Sequence, residues 1–145
     1  MNKIFNAGKA LVAEINSDFK PELLKEIFDL RTEKWKYYQK CDDCGTFGIF
    51  ADLRDFQYNS YNLIPAAIEI VLAQEDADLF TTALSLLSTC IEESDTTEMP
   101  IELSKQWEVI ERRVNKHQNK DSFLLWNIIC KWYRVCGGFN RDWVI

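Results

Sequence analysis

Two segments of the chain repeat the same spacing of apolar residues, and this spacing constrains the fold more than any other feature of the sequence. The first set is Phe80, Leu84, Leu87 and Ile91, and the second is Leu103, Trp107, Ile110 and Val114. Both sets have offsets of 0, 4, 7 and 11, which place the four side chains on one face of an α-helix. The sequence therefore predicts two amphipathic helices that each bury one face.

Comparable patterns extend over most of the remaining chain. Apolar residues at helical spacing predict further helices over residues 1–16, after the Lys-Pro pair at 20–21, and after Asn59 or Ser60, either of which suits the N-cap position. Residues 123–133 are apolar nearly all round and predict a central, buried helix. Helices therefore account for most of the pattern in the sequence.

Helices joined by short turns are the expected architecture, because only 3 prolines and 5 glycines interrupt the chain. We expect residues 1–145 to form a single all-α domain, either an irregular helical bundle or a short HEAT-like α-solenoid of about five to seven helices. Residues 41–58 are the exception, since they contain Gly45 and Gly48 among several aromatic side chains. Their pattern fits either a short helix or a brief extended stretch over residues 47–50.

The cysteines and the N-terminal sequence bear on the compartment. No apolar run approaches the roughly 20 residues that cross a bilayer, and the first residues lack an apolar run followed by a cleavage site. The number of cysteines is 5, and an odd number without a secretory leader is typical of reduced thiols, so we expect a cytoplasmic protein. Cys90 and Cys130 lie within apolar helical patterns and are predicted to be buried as small hydrophobic side chains.

Candidate chemistry is confined to a few residues. Cys41 and Cys44 form a CxxC motif, and His117 is the one histidine of the chain. A structural zinc site would need a second closely spaced pair, and the spacing of Cys130 and Cys136 does not supply it. A metal-binding or thiol-dependent protein that uses Cys41, Cys44 and His117 is an alternative, although His117 also suits a helix C-terminus, where a cation is favoured. Because no nucleophile–base signature or phosphate loop is present, we expect neither an enzyme nor a cofactor.

Acidic residues are concentrated in one part of the chain. The formal net charge is −6, yet the stretch between Arg54 and Lys105 holds ten acidic residues and no basic residue. This balance disfavours nucleic acid and anionic membranes as main partners, because both attract clustered positive charge. The acidic stretch fits two interpretations: a solvated face that keeps the protein soluble, or a surface that binds a basic protein.

The second interpretation specifies residues. The acids cluster at two predicted turns, 75–78 and 92–102, which bracket one helix and therefore lie at its opposite ends. Helix cores least explain three aromatic side chains, Tyr58, Tyr61 and Trp143, which either supply contacts to a partner or pack against the ends of the bundle. The predicted partner-binding residues are Tyr58, Tyr61, Glu75, Asp76, Asp78, Glu92, Glu93, Asp95, Glu98 and Glu102. The polar stretch 94–100 is expected to form a turn followed by a helix cap.

The pair of helices predicted over residues 76–118 carries a family resemblance. Its apolar ridges are Leu84, Leu87 and Ile91 on one helix and Leu103, Trp107 and Ile110 on the next. This pair resembles a small HEAT-type α-solenoid. A small, acidic helical chain of this kind is also similar in outline to bacterial immunity proteins. That resemblance implies a protein that binds and blocks a cognate toxin, often a basic nuclease, through a preformed acidic surface, and it assigns no individual residue.

Three functional hypotheses follow. We expect an immunity-like or inhibitor-like protein that neutralises a basic partner, such as a toxin domain, through an acidic helical surface. Elemental analysis would distinguish the metal-binding or thiol-dependent alternative, because a stoichiometric amount of zinc in the purified protein would support it. The third hypothesis is an oligomeric structural subunit that uses the apolar segment Phe139–Ile145 as its contact.

Overall fold

The computed structural model describes residues 2–33 and 59–133. The helices of these two ranges are α1 (Asn2–Ser17), α2 (Leu23–Glu33), α3 (Ser60–Ala73), α4 (Ala77–Glu93), α5 (Ile101–His117) and α6 (Lys120–Tyr133). No strand occurs within the two ranges, so the prediction of an all-α chain with five to seven helices is confirmed. None of the six helices is both long and apolar enough to cross a bilayer. The undecided region 41–58 lies outside the described residues.

The apolar positions that predicted α4 and α5 face a common hydrophobic core. All four positions of α4 are fully buried, and so are three of the four on α5. The fourth, Trp107, is half-buried and packs on Trp126 of α6 with ring centroids 4.4 Å apart. Buried side chains from all six helices join this core, which begins at Val12 on α1 and ends at Tyr133 on α6.

α4 is the central helix among the described elements. It contacts α2, α3 and α6, and its buried residues run almost without interruption from Phe80 to Ile91. Hydroxyl residues occupy the face opposite its apolar ridge. Thr81 and Thr82 donate to the carbonyl oxygens four residues earlier, at 2.9 and 3.0 Å, so their hydroxyls are satisfied within the helix and tolerate burial.

The prediction that residues 123–133 form the central helix was wrong. The segment is helical, but Phe123 is 39% exposed and Leu124 is 50% exposed. Small side chains on α4 let neighbouring helices approach it from both sides, and a hydroxyl bonded to its own helix behaves as a core residue. Hydropathy patterning counts those threonines and serines as polar, so it predicted α6, and not α4, to be the central helix.

Two predicted helix caps have a different geometry. Asn59 precedes α3, but its side chain does not cap the helix; its Nδ2 donates to the carbonyl oxygen of Ile15 at 3.3 Å and to Oδ1 of Asn16 at 3.1 Å. Asn59 therefore links α3 to α1. The stretch 94–100 forms the expected turn, whereas α5 begins after Pro100 without a side-chain cap.

Candidate functional site: an acidic end of the helical bundle

α4 separates the predicted partner-binding residues into two groups. The helix has 17 residues, which correspond to about 25 Å at 1.5 Å per residue. The acids of residues 75–78 lie at its N-terminal end and those of residues 92–102 lie at its C-terminal end, as the sequence predicted. We define the acidic end as the surface formed by Tyr61, Glu92, Glu93, Asp95, Glu98 and Glu102.

Tyr61 joins the acidic end through a contact between residues that are distant in sequence. Its hydroxyl donates a hydrogen bond to Oε2 of Glu98 at 3.0 Å, although the two residues are 37 positions apart. Partial burial raises the pKa of Tyr61, and the hydrogen bond to Glu98 and the negative charges of Glu98 and Glu102 raise this pKa further. An aromatic side chain and two carboxylates therefore share one small surface.

The turn that presents these acids is held by several hydrogen bonds. The backbone N–H of Glu98 donates to Oγ1 of Thr96 at 3.1 Å, and the Ser94 hydroxyl donates to the carbonyl oxygen of Ile91 at 2.5 Å. The indole Nε1 of Trp132 on α6 donates to the carbonyl oxygen of Thr96 at 2.8 Å. These bonds fix the turn to two helices, so its acidic side chains start from a defined backbone.

Asp95 stands at the one position of this turn with left-handed backbone geometry. Its φ is 54°, a region that aspartate, asparagine and glycine enter at lower cost than other residues. The side chain is exposed, like those of Glu98 and Glu102. None of these three carboxylates forms an ion pair with another described residue. This end therefore presents three exposed carboxylates that have no ion pair within the described part of the chain.

Glu92 and Glu93 complete the acidic end on the last turn of α4. Glu92 is exposed and Glu93 is half-buried. The Cys90 thiol lies one turn earlier and is fully buried, as predicted, like Cys130. Burial, with a smaller contribution from the negative charge of Glu93, raises the pKa of Cys90 to about 12. Cys90 is therefore a protonated core side chain at neutral pH rather than a nucleophile.

The predicted acids at the other end of α4 have different surroundings. Oδ2 of Asp76 accepts a hydrogen bond from the backbone N–H of Leu79 at 3.0 Å, so Asp76 is the N-cap of α4 and has a structural role. Glu75 lines a polar cavity of about 380 Å³ whose remaining walls are Gln74, Arg113, Lys116 and His117. We call this region, with Asp78, the mixed-charge end, because the cavity brings Glu75 together with the basic residues Arg113 and Lys116 at the end of α5.

Arg113 also closes the end of α3. Its Nη1 donates to the carbonyl oxygens of Leu72 at 2.8 Å and Gln74 at 3.3 Å. These carbonyls belong to the last turn of α3 and the residue after it, where no intrahelical donor is available. The basic charge at the mixed-charge end therefore has a structural function in addition to offsetting Glu75.

The residues proposed for metal or thiol chemistry do not form a site among the described residues. His117 is the last residue of α5, and its ring packs on Phe80 with centroids 4.7 Å apart. Its Nε2 is buried without a hydrogen-bond partner. Cys41, Cys44 and Tyr58 lie outside the described residues. Within the part that the structure describes, no group of three histidine, cysteine, aspartate or glutamate side chains is arranged to hold a metal ion.

Two hydrogen-bonded contacts were not predicted from the sequence. Glu111 is buried with 7% exposure, and its Oε2 accepts a hydrogen bond from Nε1 of Trp126 at 3.1 Å. A signal for it was present, since Glu111 lies one turn after Trp107 on the apolar face of α5. The contact between Trp132 and Thr96 had no such signal, because it joins elements far apart in the chain.

Known proteins add no assignment to this geometry. Comparisons with protein-family models, with curated proteins and with solved structures find no match for the chain.

Proposed function

We propose that the chain is a protein-binding module that neutralises a basic partner through the acidic end, in the manner of an immunity or inhibitor protein. The observation that carries the proposal is the hydrogen bond between Tyr61 and Glu98 beside Glu102, which brings an aromatic ring and carboxylates onto one surface. Tyrosines are frequent energetic centres of protein interfaces, and surrounding charges set orientation and association rate.

Electrostatics supports the choice of this end over the other. The carboxylates of Asp95, Glu98 and Glu102 are exposed and form no ion pair with another described residue, so their field extends into solvent. At the mixed-charge end, Arg113 and Lys116 reduce the field of the neighbouring acids. A basic protein is therefore attracted more strongly to the acidic end, and association steered in this way is faster by about 10- to 1,000-fold.

Preorganisation supports the proposal as well. The turn that carries Asp95 and Glu98 is already fixed by the bonds of Thr96, Ser94 and Trp132, so little conformational entropy is lost when a partner binds. A surface prepared in this way suits an inhibitor, which has to hold its target tightly enough to block it.

The experiment compares two matched double variants with the unmodified chain. Glu98→Gln with Glu102→Gln removes two charges from the acidic end, and Glu75→Gln with Asp78→Asn removes two from the mixed-charge end. A partner captured on the full chain is purified, and its affinity for each variant is measured by calorimetry at low and moderate salt.

We expect the acidic-end pair to weaken binding by about tenfold or more, equivalent to about 1.4 kcal/mol, and to reduce its salt dependence. The mixed-charge pair is expected to change affinity by less than about threefold, since its acids are already offset. Co-expression of the unmodified chain should also suppress the activity or toxicity of the partner. Equal affinity and equal salt dependence for the two variants would contradict the proposal.

A further inference from the structure

A second surface of the molecule has the shape of a docking groove. It lies between the start of α2 and the C-terminal half of α3, and its volume is about 360 Å³. Phe28 and Ile70 form its floor and are nearly inaccessible, with 2% and 5% exposure. Ala66 and Ala73 lie about one turn before and one turn after Ile70 on the same face of α3. Their short side chains leave the floor of the groove open.

This groove is separate from the acidic end. Tyr61 lies at the start of α3, whereas the groove begins at Ala66, about 7.5 Å further along the helix, and extends to Gln74. The two surfaces share no residue, so separate substitutions test them independently.

The rim of the groove is acidic. Lys25 and Asp29 form an ion pair with 3.5 Å between Nζ and Oδ2, so their charges offset each other. Glu22 and Glu69 are exposed, line the groove from the two sides, and form no ion pair with another described residue. The groove thus combines an apolar floor with two uncompensated negative charges.

We propose that this groove binds a basic amphipathic segment of a protein partner. One bulky apolar side chain of the segment fills the space above Phe28 and Ile70, and flanking lysine or arginine residues pair with Glu22 and Glu69. The volume lies near the lower bound of about 300 Å³ for ligand pockets, which suits a single large side chain. Amphipathic helices use this mode when they insert one apolar face into a groove.

Charge complementarity decides between this occupant and others. An acidic or neutral segment would leave both glutamates unpaired or bring like charges together, which costs affinity. A second copy of the chain would offer a surface of the same sign of net charge, −6, and gains nothing from the rim. The basic segment is the occupant that uses both the floor and the rim.

The test selects binders from a phage-displayed random peptide library on the unmodified full chain. Selected peptides are synthesised, and their binding is followed by amide chemical shifts and by affinity. We expect leucine, isoleucine, methionine or phenylalanine flanked by lysine or arginine, with shift changes concentrated at residues 21–29 and 66–74. Replacing the apolar residue by alanine, or the basic residues by glutamate, should each weaken binding by about tenfold or more.

Matched variants locate the binding. Ala73→Phe fills the groove and should weaken binding by about tenfold or more, whereas Ala13→Phe places the same ring at an exposed alanine of α1 and should not. Glu22→Gln with Glu69→Gln should remove the salt dependence, and Glu98→Gln with Glu102→Gln should leave it intact. Thermal unfolding by circular dichroism verifies that each variant is folded.

Several outcomes would overturn the proposal. They are the absence of any selected peptide that binds the groove, a preference for acidic or neutral peptides, and binding that Ala73→Phe leaves unchanged. A concentration-dependent dimer that Ala73→Phe dissociates would assign the groove to self-association instead. Because the acidic-end variants serve as controls here, failure of this proposal is distinct from failure of the proposed function.

Discussion

At the scale of single residues, the pair formed by Glu111 and Trp126 shows how a polar group is accommodated in the core. The carboxylate of Glu111 is buried, and the Trp126 indole donates to it at 3.1 Å. A buried indole N–H without an acceptor costs more than its hydrogen bond contributes, because it gives up water without replacement. Glu111 is therefore a stabilising residue rather than a member of the acidic surface.

Replacement of Glu111 by leucine tests this assignment. Glu111→Leu leaves the Trp126 N–H without this acceptor, and we expect a loss of about 1–3 kcal/mol in the free energy of unfolding, measured with urea. Glu108→Leu is the matched control on the exposed side of α5 and is expected to change stability by less than about 0.5 kcal/mol. Adding Trp126→Phe should recover part of the loss, and equal effects of the two leucine variants would refute the assignment.

At the scale of elements, the ends of the helices depend on neighbouring helices as much as on their own sequence. Arg113 of α5 supplies donors to the last turn of α3, and Trp132 of α6 supplies one to the turn after α4. Asn59 links the start of α3 to the end of α1. Helix ends in this protein are thus joined by side chains from elsewhere in the fold.

The contribution of Arg113 is measurable with a neighbouring arginine as control. Arg113→Met keeps an unbranched apolar stem but removes the donors, and we expect a loss of about 1–3 kcal/mol in the free energy of unfolding. Amide hydrogen exchange should accelerate at the end of α3 and in the turn that follows it. Arg112 is exposed, so Arg112→Met should have little effect on either measurement. Equal protection in the two variants would show that Arg113 does not stabilise this turn.

At the scale of the whole molecule, charge is distributed unevenly. The net charge is −6, and five acidic residues gather at the acidic end, whereas the mixed-charge end contains Arg113, Lys116 and Glu75 together. Like charges that gather on one surface repel each other and reduce the stability of the folded state. The carboxylates gathered at the acidic end are therefore expected to cost the folded protein some stability.

If charge repulsion at the acidic end lowers stability, removing charges there should raise the free energy of unfolding while it weakens binding of a basic partner. Glu98→Gln with Glu102→Gln should raise the free energy of unfolding of the free protein at low salt by up to about 0.5 kcal/mol, because repulsion is relieved. The gain should shrink as salt is added, since screening relieves the same repulsion in the unmodified chain. Glu75→Gln with Asp78→Asn should give no gain. Urea unfolding at two salt concentrations measures both, and an equal gain for the two pairs would contradict the uneven distribution.

The helical elements were predictable because their signal is local. Offsets of 4 and 7 place Phe80, Leu84 and Leu87 on one face whatever the rest of the chain does, and these residues are buried. Which helix lies at the centre of the bundle was not predictable from such local patterns. Thr81 is buried beside α6, where its hydroxyl oxygen lies 2.6 Å from that of Ser122, and no pattern within α4 indicates that contact.

The candidate site was likewise predictable from the sequence only in part. The sequence by itself determined that ten acids and no basic residue lie between Arg54 and Lys105, and that eight of these acids lie at two turns at opposite ends of one helix, because charge order and helical period are properties of neighbouring residues. Only the tertiary structure decided which side chains these acids meet. Arg113 reaches Gln74 and Tyr61 reaches Glu98 across 39 and 37 residues, and contacts at such separation exist only once the helices are packed.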